Sequence, residues 1–180
     1  NFEAARLATH HLIAKGHTRL AFATVAGMTL SRRDKIAGFF AAADAAGLSG
    51  SAQVLDGGPL DEYGDTVVAE AFHKHGLQLA TDPQRATGLV ALNDLMALGL
   101  MAGLREGGCS VPRDVSVVGI DGMVLSGLSN PPLTTVHLPV REMARAMVEQ
   151  VMQPGAGAAA VPREQVFTQV QLVERESVAG

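Results

Sequence analysis

The feature that most constrains this chain is a repeated alternation of short apolar segments with longer segments of helical periodicity. Residues 19–25, 88–92 and 115–120 are short, almost continuously apolar and bounded by turn residues, which is typical of buried strands. The segments between them carry apolar residues at helical spacing. This alternation predicts the α/β class, with a parallel sheet and helices on both of its faces.

The same patterns predict the order of the elements. Helices are expected at 2–15, 31–46, 61–75, 95–106 and 139–152, and strands at 19–25, 53–55, 88–92, 115–120, 134–136 and 166–173. Glycine tolerates the positive φ of a helix terminus, so it is expected to end the first four helices, at Gly16, Gly47, Gly76 and Gly107. Residues 154–158 are rich in Gly and Ala and predict a linker.

Composition excludes several classes of protein. Of the 180 residues, 47% are hydrophobic and the formal net charge is −4, so most of the chain is expected to fold around a core. One cysteine, Cys109, excludes a disulfide scaffold, and no apolar run approaches the ~18 residues of a membrane span. The mild acidity argues against a nucleic-acid-binding surface on this segment.

Polar residues follow four of the predicted strands. In parallel sheets ligands bind beyond the carboxyl ends of the strands. The polar residues at those ends are Ser31, Arg32, Arg33, Asp34 and Lys35, then Asp56, then Asn93 and Asp94, then Asp121. Carboxylates, amides and cations at one edge could bind a polyhydroxylated ligand.

Each of these polar residues also has a simpler interpretation. Asn93 and Ser31 could serve only as helix caps, and the arginines could occupy a solvated helix start. Asp121 differs, because it ends an apolar strand and Gly122 does not open an obvious helix.

Enzyme and metal motifs are absent from the sequence. There is no P-loop, and Ser126 lacks the glycines of a nucleophile elbow. Residues 155–160 match a loose dinucleotide motif but follow a helix where that motif needs a strand. No two of the six histidines share a helix face, and Cys109 has no evident base beside it. We therefore predict neither catalysis nor a metal or cofactor.

Five motifs in consistent order resemble the LacI/GalR family of bacterial transcription regulators. They are the opening at 1–22, Lys-Ile-Ala-Gly-Phe at 35–39, Asn-Asp-Leu-Met-Ala-Leu-Gly at 93–99, Val-Pro-Arg-Asp-Val-Ser-Val-Val-Gly-Ile-Asp at 111–121, and Pro-Pro-Leu-Thr-Thr-Val at 131–136. Each motif alone is weak, but their shared order and spacing along the chain make the resemblance specific.

The resemblance implies a two-lobed effector domain like that of periplasmic binding proteins, preceded by a helix-turn-helix headpiece. Because the chain begins at Asn1 without Met, we expect it to start inside such a protein, so the missing leader is uninformative. By resemblance, residues 17–137 form the second lobe and 161–180 return to it with a terminal strand. Residues 1–16 and 138–160 would belong to the first lobe, which is otherwise missing.

The resemblance also implies an effector site. Asp121 and Asn93 match effector-binding positions, and Lys35 stands where the family commonly has Arg. Pro59 replaces an aromatic residue that often stacks on the ligand. Ser31 and Arg32 complete the predicted set, and Arg32 or Arg33 would suit an anionic effector such as a sugar acid.

A homodimer face is expected on the helix 94–106 and the loop 124–132. The residues predicted to form it are Leu95, Leu98, Met101 and Leu128. The resulting hypothesis is a cytoplasmic, non-enzymatic sensor of a sugar or sugar acid, which contacts DNA through a headpiece outside this chain. The alternatives are a periplasmic sugar-binding protein of a transporter and an enzyme such as a sugar isomerase or hydrolase.

Overall fold

The computed structural model of the chain describes residues 1–26, 29–57, 65–152 and 169–180. The helices are α1 (Phe2–Ala14), α2 (Leu30–Ala45), α3 (Asp65–Thr81), α4 (Asp94–Glu106) and α5 (Val140–Met152). The strands are β1 (Leu20–Thr24), β2 (Ala52–Asp56), β3 (Gly88–Ala91), β4 (Ser116–Asp121), β5 (Thr134–His137) and β6 (Gln171–Val173). Short 3₁₀ helices cover Ser49–Ser51 and Val124–Gly127.

The strands form one six-stranded sheet in the order β2-β1-β3-β4-β5-β6. The first five strands of this order are parallel, and β6 runs antiparallel to β5. The carboxyl ends of the five parallel strands therefore meet along a single edge of the sheet. The predicted α/β class is confirmed.

Side-chain alternation along the central strands divides the core in two. Leu20 and Phe22 of β1 pack with α1 and α2, whereas Ala21 and Ala23 pack with α3 and α4. Because successive side chains of a strand point to opposite faces, one buried strand supplies both cores. This arrangement explains why the strands are apolar without interruption.

Helix α3 does not end at Gly76 as predicted but continues to Thr81. The glycine is needed for a different reason: a Cβ at Gly76 would collide with the carbonyl oxygen of Leu100 on α4. Gly99 and Gly103 of α4 make equally close approaches to the α3 backbone. These three glycines let α3 and α4 pack backbone to backbone. The predicted start of the helix at Asp61 lies outside the described residues.

Two other boundaries differ from the sequence prediction. The second helix begins at Leu30, because Thr29 is its N-cap and accepts a hydrogen bond from the backbone N–H of Arg32 at 3.2 Å. The final strand covers Gln171–Val173, and the earlier part of the predicted strand lies outside the described residues, as does the predicted linker at 154–158.

The two peripheral helices differ in how they pack. The resemblance assigned residues 1–16 to a first lobe, and that assignment stays a prediction. Helix α1 buries Ala4, Ala8 and Leu12 in the core of this sheet. Helix α5 instead exposes its large apolar side chains, among them Val140 and Met147. Its assignment to a first lobe remains a prediction. None of the helices described is both long and apolar enough to cross a membrane.

Candidate functional site

Three of the predicted site residues meet at the carboxyl edge of the sheet. Asp121 ends β4, Asn93 follows β3, and Lys35 reaches the same point from α2. The buried ammonium of Lys35 donates to the carbonyl oxygen of Leu92 at 2.8 Å and lies 4.0 Å from Oδ1 of Asp121. The strand ends and the first turns of α2 therefore bring one cation, one carboxylate and one amide together.

Asp121 has an unusual backbone. Its φ is 135°, and no other non-glycine residue of the described ranges has a positive φ. Such a conformation costs on the order of 1–3 kcal/mol and persists only when the surrounding structure holds it in place. Its side chain is partly exposed, so the residue with the strained backbone is also the one whose carboxylate faces solvent at the strand ends.

Burial dominates the electrostatics of the Lys35–Asp121 pair. It raises the pKa of Asp121 to about 6, with Lys35 opposing the shift and Asp94 adding to it. Burial likewise lowers the pKa of Lys35, and the carboxylates of Asp121 and Asp94 oppose that change. At 4.0 Å the ion pair therefore only partly compensates for the loss of water around Asp121.

Asn93 is a helix cap, as the simpler interpretation of the sequence held. Its Oδ1 accepts a hydrogen bond from the backbone N–H of Met96 at 2.9 Å, at the start of α4. The cap occupies only the amide oxygen, and the Nδ2 group makes no hydrogen bond to the described part of the chain. Asn93 can therefore cap α4 and still donate a hydrogen bond toward the strand ends.

Arg32 does not occupy a solvated helix start. Its Nε donates to Oγ1 of Thr24 at 3.0 Å, and one terminal nitrogen lies 3.3 Å from Oδ2 of Asp56. Arg32 thus ties together the carboxyl ends of β1 and β2. Arg33 remains exposed, beside Asp34 at 3.5 Å.

Of the remaining two predicted residues, the structure describes only Ser31. Ser31 is not a cap, because Thr29 takes that position; its hydroxyl donates to Oδ1 of Asn1 at 2.9 Å. Pro59 lies outside the described residues, so its replacement of an aromatic residue that stacks on the ligand stays a prediction.

The sequence analysis listed Asp94 at the strand ends and left it out of the predicted effector site; the structure shows that it is a buried carboxylate next to that site. Asp94 is fully buried, and its Oδ2 accepts from the backbone N–H of Met123 at 2.7 Å and from Oγ of Ser126 at 2.5 Å. Its Oδ1 accepts from Oγ1 of Thr135 at 2.6 Å. The only signal in the sequence was an acidic residue in the first turn of an otherwise apolar helix, which also suits a helix N-terminus.

The predicted self-association residues separate into core and surface. Met101 is only 5% exposed and packs in the core, and its assignment to an interface stays a prediction. Leu95 and Leu98 are partly buried, and Leu98 packs against the same core. Leu128 is 76% exposed, and Val124 at 83% and Leu125 beside it extend the exposed apolar surface. The turn after β4 thus presents large apolar side chains to solvent.

Comparison with known proteins agrees with the fold. Residues 9–178 match the family model of the periplasmic binding protein-like domain, so the chain belongs to that family. The resemblance to LacI/GalR effector domains that the sequence motifs predicted is thereby confirmed.

The relatives make the placement more specific. An uncharacterised HTH-type transcriptional regulator of Streptomyces limosus is 39% identical over 98% of this chain and 48% of its own length. A Lac repressor dimer bound to operator and an anti-inducer superimposes with a TM-score of 0.81 at 27% identity, over 99% of this chain and 59% of its own. A LacI family regulator of Enterococcus faecium with bound ribose gives 0.77 at 25% identity, over 99% and 62%. The chain thus spans about half the length of its curated relative.

Proposed function

We propose that this chain is part of the effector-sensing domain of a LacI-type transcription regulator, with the effector held by Asp121, Asn93 and Lys35. The observation that carries the proposal is the strained, partly exposed carboxylate of Asp121 at the carboxyl ends of parallel strands. A carboxylate there can accept paired hydroxyl hydrogen bonds, and the amide of Asn93 can donate another.

The charge balance of this edge supports a neutral effector over a sugar acid. Arg32 lies beside Asp56, and Lys35 beside Asp121, so each of these cations already faces a carboxylate. An anionic ligand would have to displace one of these carboxylates or accept its repulsion. A neutral polyhydroxylated molecule, such as a sugar, needs no such exchange.

The wider role follows from the relatives. They include a protein described as an HTH-type transcription regulator and a repressor dimer on its operator, which favours a regulator over the alternative of a transporter component. We propose a cytoplasmic homodimer that contacts DNA through a headpiece outside this chain. The exposed side chains of Val124, Leu125 and Leu128 would be buried between the subunits. Effector binding would then shift the equilibrium between DNA-binding and released states.

Isothermal titration calorimetry with matched neutral and acidic sugars tests the site. The probes are D-ribose, D-glucose and maltose on one side, and D-gluconate and D-glucuronate on the other. For a neutral sugar that binds, Asp121→Ala and Asn93→Ala should each weaken the affinity at least about tenfold, since buried hydrogen bonds to a ligand are lost. Glu70→Gln, which removes a charge from an exposed position of α3, is the control.

Two results would contradict the proposal. Unchanged affinity in the Asp121 and Asn93 variants would place the ligand elsewhere. Binding of the acids alone would reverse the proposed preference for a neutral effector.

A further inference from the structure

The buried carboxylate of Asp94 connects the effector-site edge to the exposed apolar turn. It lies in the first turn of α4, directly after Asn93, and accepts three hydrogen bonds. The donors come from two other segments, the turn after β4 and the strand β5. A buried carboxylate with three donors is expensive to disrupt, because each donor would lose its acceptor away from water.

Two hydrogen bonds hold the backbone directly after the strained residue Asp121. The backbone N–H of Gly122 donates to Oγ1 of Thr135 at 3.2 Å, and the same hydroxyl donates to Oδ1 of Asp94. The next backbone N–H, of Met123, donates to Oδ2 of Asp94. The two peptide groups that follow Asp121 are therefore anchored, one through Thr135 and one directly, to a single side chain.

The same carboxylate holds the turn that carries the apolar surface. Its Oδ2 accepts from the hydroxyl of Ser126, which lies in the 3₁₀ helix between Val124 and Gly127. The β4 strand leaves space for this arrangement at Gly119, where a Cβ would collide with Oδ1 of Asp94. The glycine of the strand and the buried carboxylate thus fit each other.

We propose that Asp94 is a positioning residue that fixes both the backbone at Asp121 and the apolar turn at 124–127. Its link to effector binding rests on the function proposed above, but the anchoring itself does not. Because one side chain holds both segments, the effector-binding carboxylate and the proposed subunit surface share one attachment point. Asp94 itself does not touch the effector.

Amide hydrogen exchange on the purified chain without ligand tests the anchoring, below the unfolding temperature of every variant. In Asp94→Ala the Met123 amide loses its acceptor and serves as the positive control. The informative amide is Gly122, which bonds Thr135 and not Asp94; its exchange should accelerate about tenfold or more once Thr135 loses its own acceptor. Asp94→Asn keeps an acceptor in place and should restore most of the protection.

A matched control and a reference separate positioning from general destabilisation. Asp114→Ala removes another carboxylate that accepts a backbone N–H, that of Ser110 at 2.7 Å, and should leave Gly122 unchanged. The amides of Val90 and Val118 in the central strands report global opening.

The proposal is overturned if Gly122 keeps its protection in Asp94→Ala, or if Val90 and Val118 accelerate by the same factor. Since no sugar is present, failure of the effector assay does not change either outcome. Conversely, sugar binding can be confirmed while the anchoring role of Asp94 is refuted.

Discussion

Nζ of Lys35 and Oδ1 of Asp121 lie 4.0 Å apart at the carboxyl edge of the sheet, too far for a hydrogen bond and close enough for an ion pair. The ammonium of Lys35 donates one hydrogen bond to the Leu92 carbonyl oxygen. Asp121 is left with a partial compensation for its burial, and its carboxyl has no hydrogen-bond partner among the described residues. A partly exposed acceptor in this condition is suited to a ligand that brings its own donors.

The titration of Asp121 measures this condition directly. Carboxyl ¹³C NMR should give a pKa of about 6 for this residue. Lys35→Met removes the cation that opposes the shift, so the pKa of Asp121 should rise further. The control is Lys74→Met, which removes an exposed lysine of α3. A pKa near the ordinary 3.8 in the unmodified protein would contradict the burial argument.

The raised pKa of Asp121 predicts how stability depends on pH. The contribution of this residue is fully present below 3.8, its unfolded value, and is lost as the pH rises through about 6. Asparagine cannot ionise, so Asp121→Asn should gain stability relative to the unmodified protein between pH 4 and pH 7. Urea unfolding at both ends of this range measures the difference. An equal difference at the two pH values would refute the prediction.

Buried His11 and half-buried His17 should act in the opposite direction. Loss of solvent around each ring lowers the pKa of both histidines, and their Nε2 atoms have no hydrogen-bond partner among the residues that the structure describes. Their contribution is fully present above about 6.5, the unfolded value, and is lost as the pH falls below it. Around His11, Glu174 opposes the shift, and Lys15 and His10 add to it.

His17→Gln should therefore reduce the loss of stability between pH 7.5 and pH 5. Lys74→Gln changes an exposed residue of α3, on the other face of the sheet from α1, and should leave that loss unchanged. Thermal unfolding at the two pH values measures the effect. Equal losses in the His17 variant and the unmodified protein would show that this histidine does not resist protonation.

The crossing of α3 and α4 should tolerate no added methyl group. Gly103→Ala would place a Cβ against the carbonyl oxygen of His73, and we expect a loss of about 1–3 kcal/mol from forced backbone shifts. Gly50→Ala adds its methyl group to open space and should be nearly neutral. Chemical unfolding gives both values. Equal stability of the two variants would contradict the close packing.

The apolar turn after β4 should mediate self-association. Leu128→Glu places a charge on a side chain that is 76% exposed, so it should leave the fold intact and shift a dimer to monomer in sedimentation velocity. Leu30→Glu changes another exposed leucine, at the start of α2, and should leave the dimer unchanged. A dimer that persists in Leu128→Glu would exclude this surface.

The sequence pattern was sufficient to predict elements whose structure depends mainly on neighbouring residues. Short, almost continuously apolar segments predicted the three central parallel strands β1, β3 and β4, because strands buried on both faces are mostly apolar. The rule that ligands bind at strand ends already included Asp121, Asn93 and Lys35, and the family resemblance selected these three from the longer set. The structure supplies the distances between these residues, which depend on the order of the strands in the sheet.

The sequence predictions failed where distant segments decide the role of a residue. Gly76 has the local pattern of a helix end, but α3 continues past it, and the glycine is needed for the close packing against α4. The N-cap of α2 is Thr29, two residues before the predicted Ser31. Asp94 gives no sign of its role, because its three donors lie far along the chain, in the turn after β4 and in β5.

The glycines between α3 and α4 have a mechanical consequence. The backbones of α3 and α4 are in direct contact, and Nε2 of His73 lies 2.7 Å from Oε2 of Glu106 near the far end of α4. The two helices therefore pack as one unit on one face of the sheet. Asn93 is the N-cap of α4, which is about 20 Å long at 1.5 Å per residue. A change in the angle of α4 would therefore have to move α3 with it, because the backbone contacts at Gly76, Gly99 and Gly103 leave no space for one helix to shift against the other.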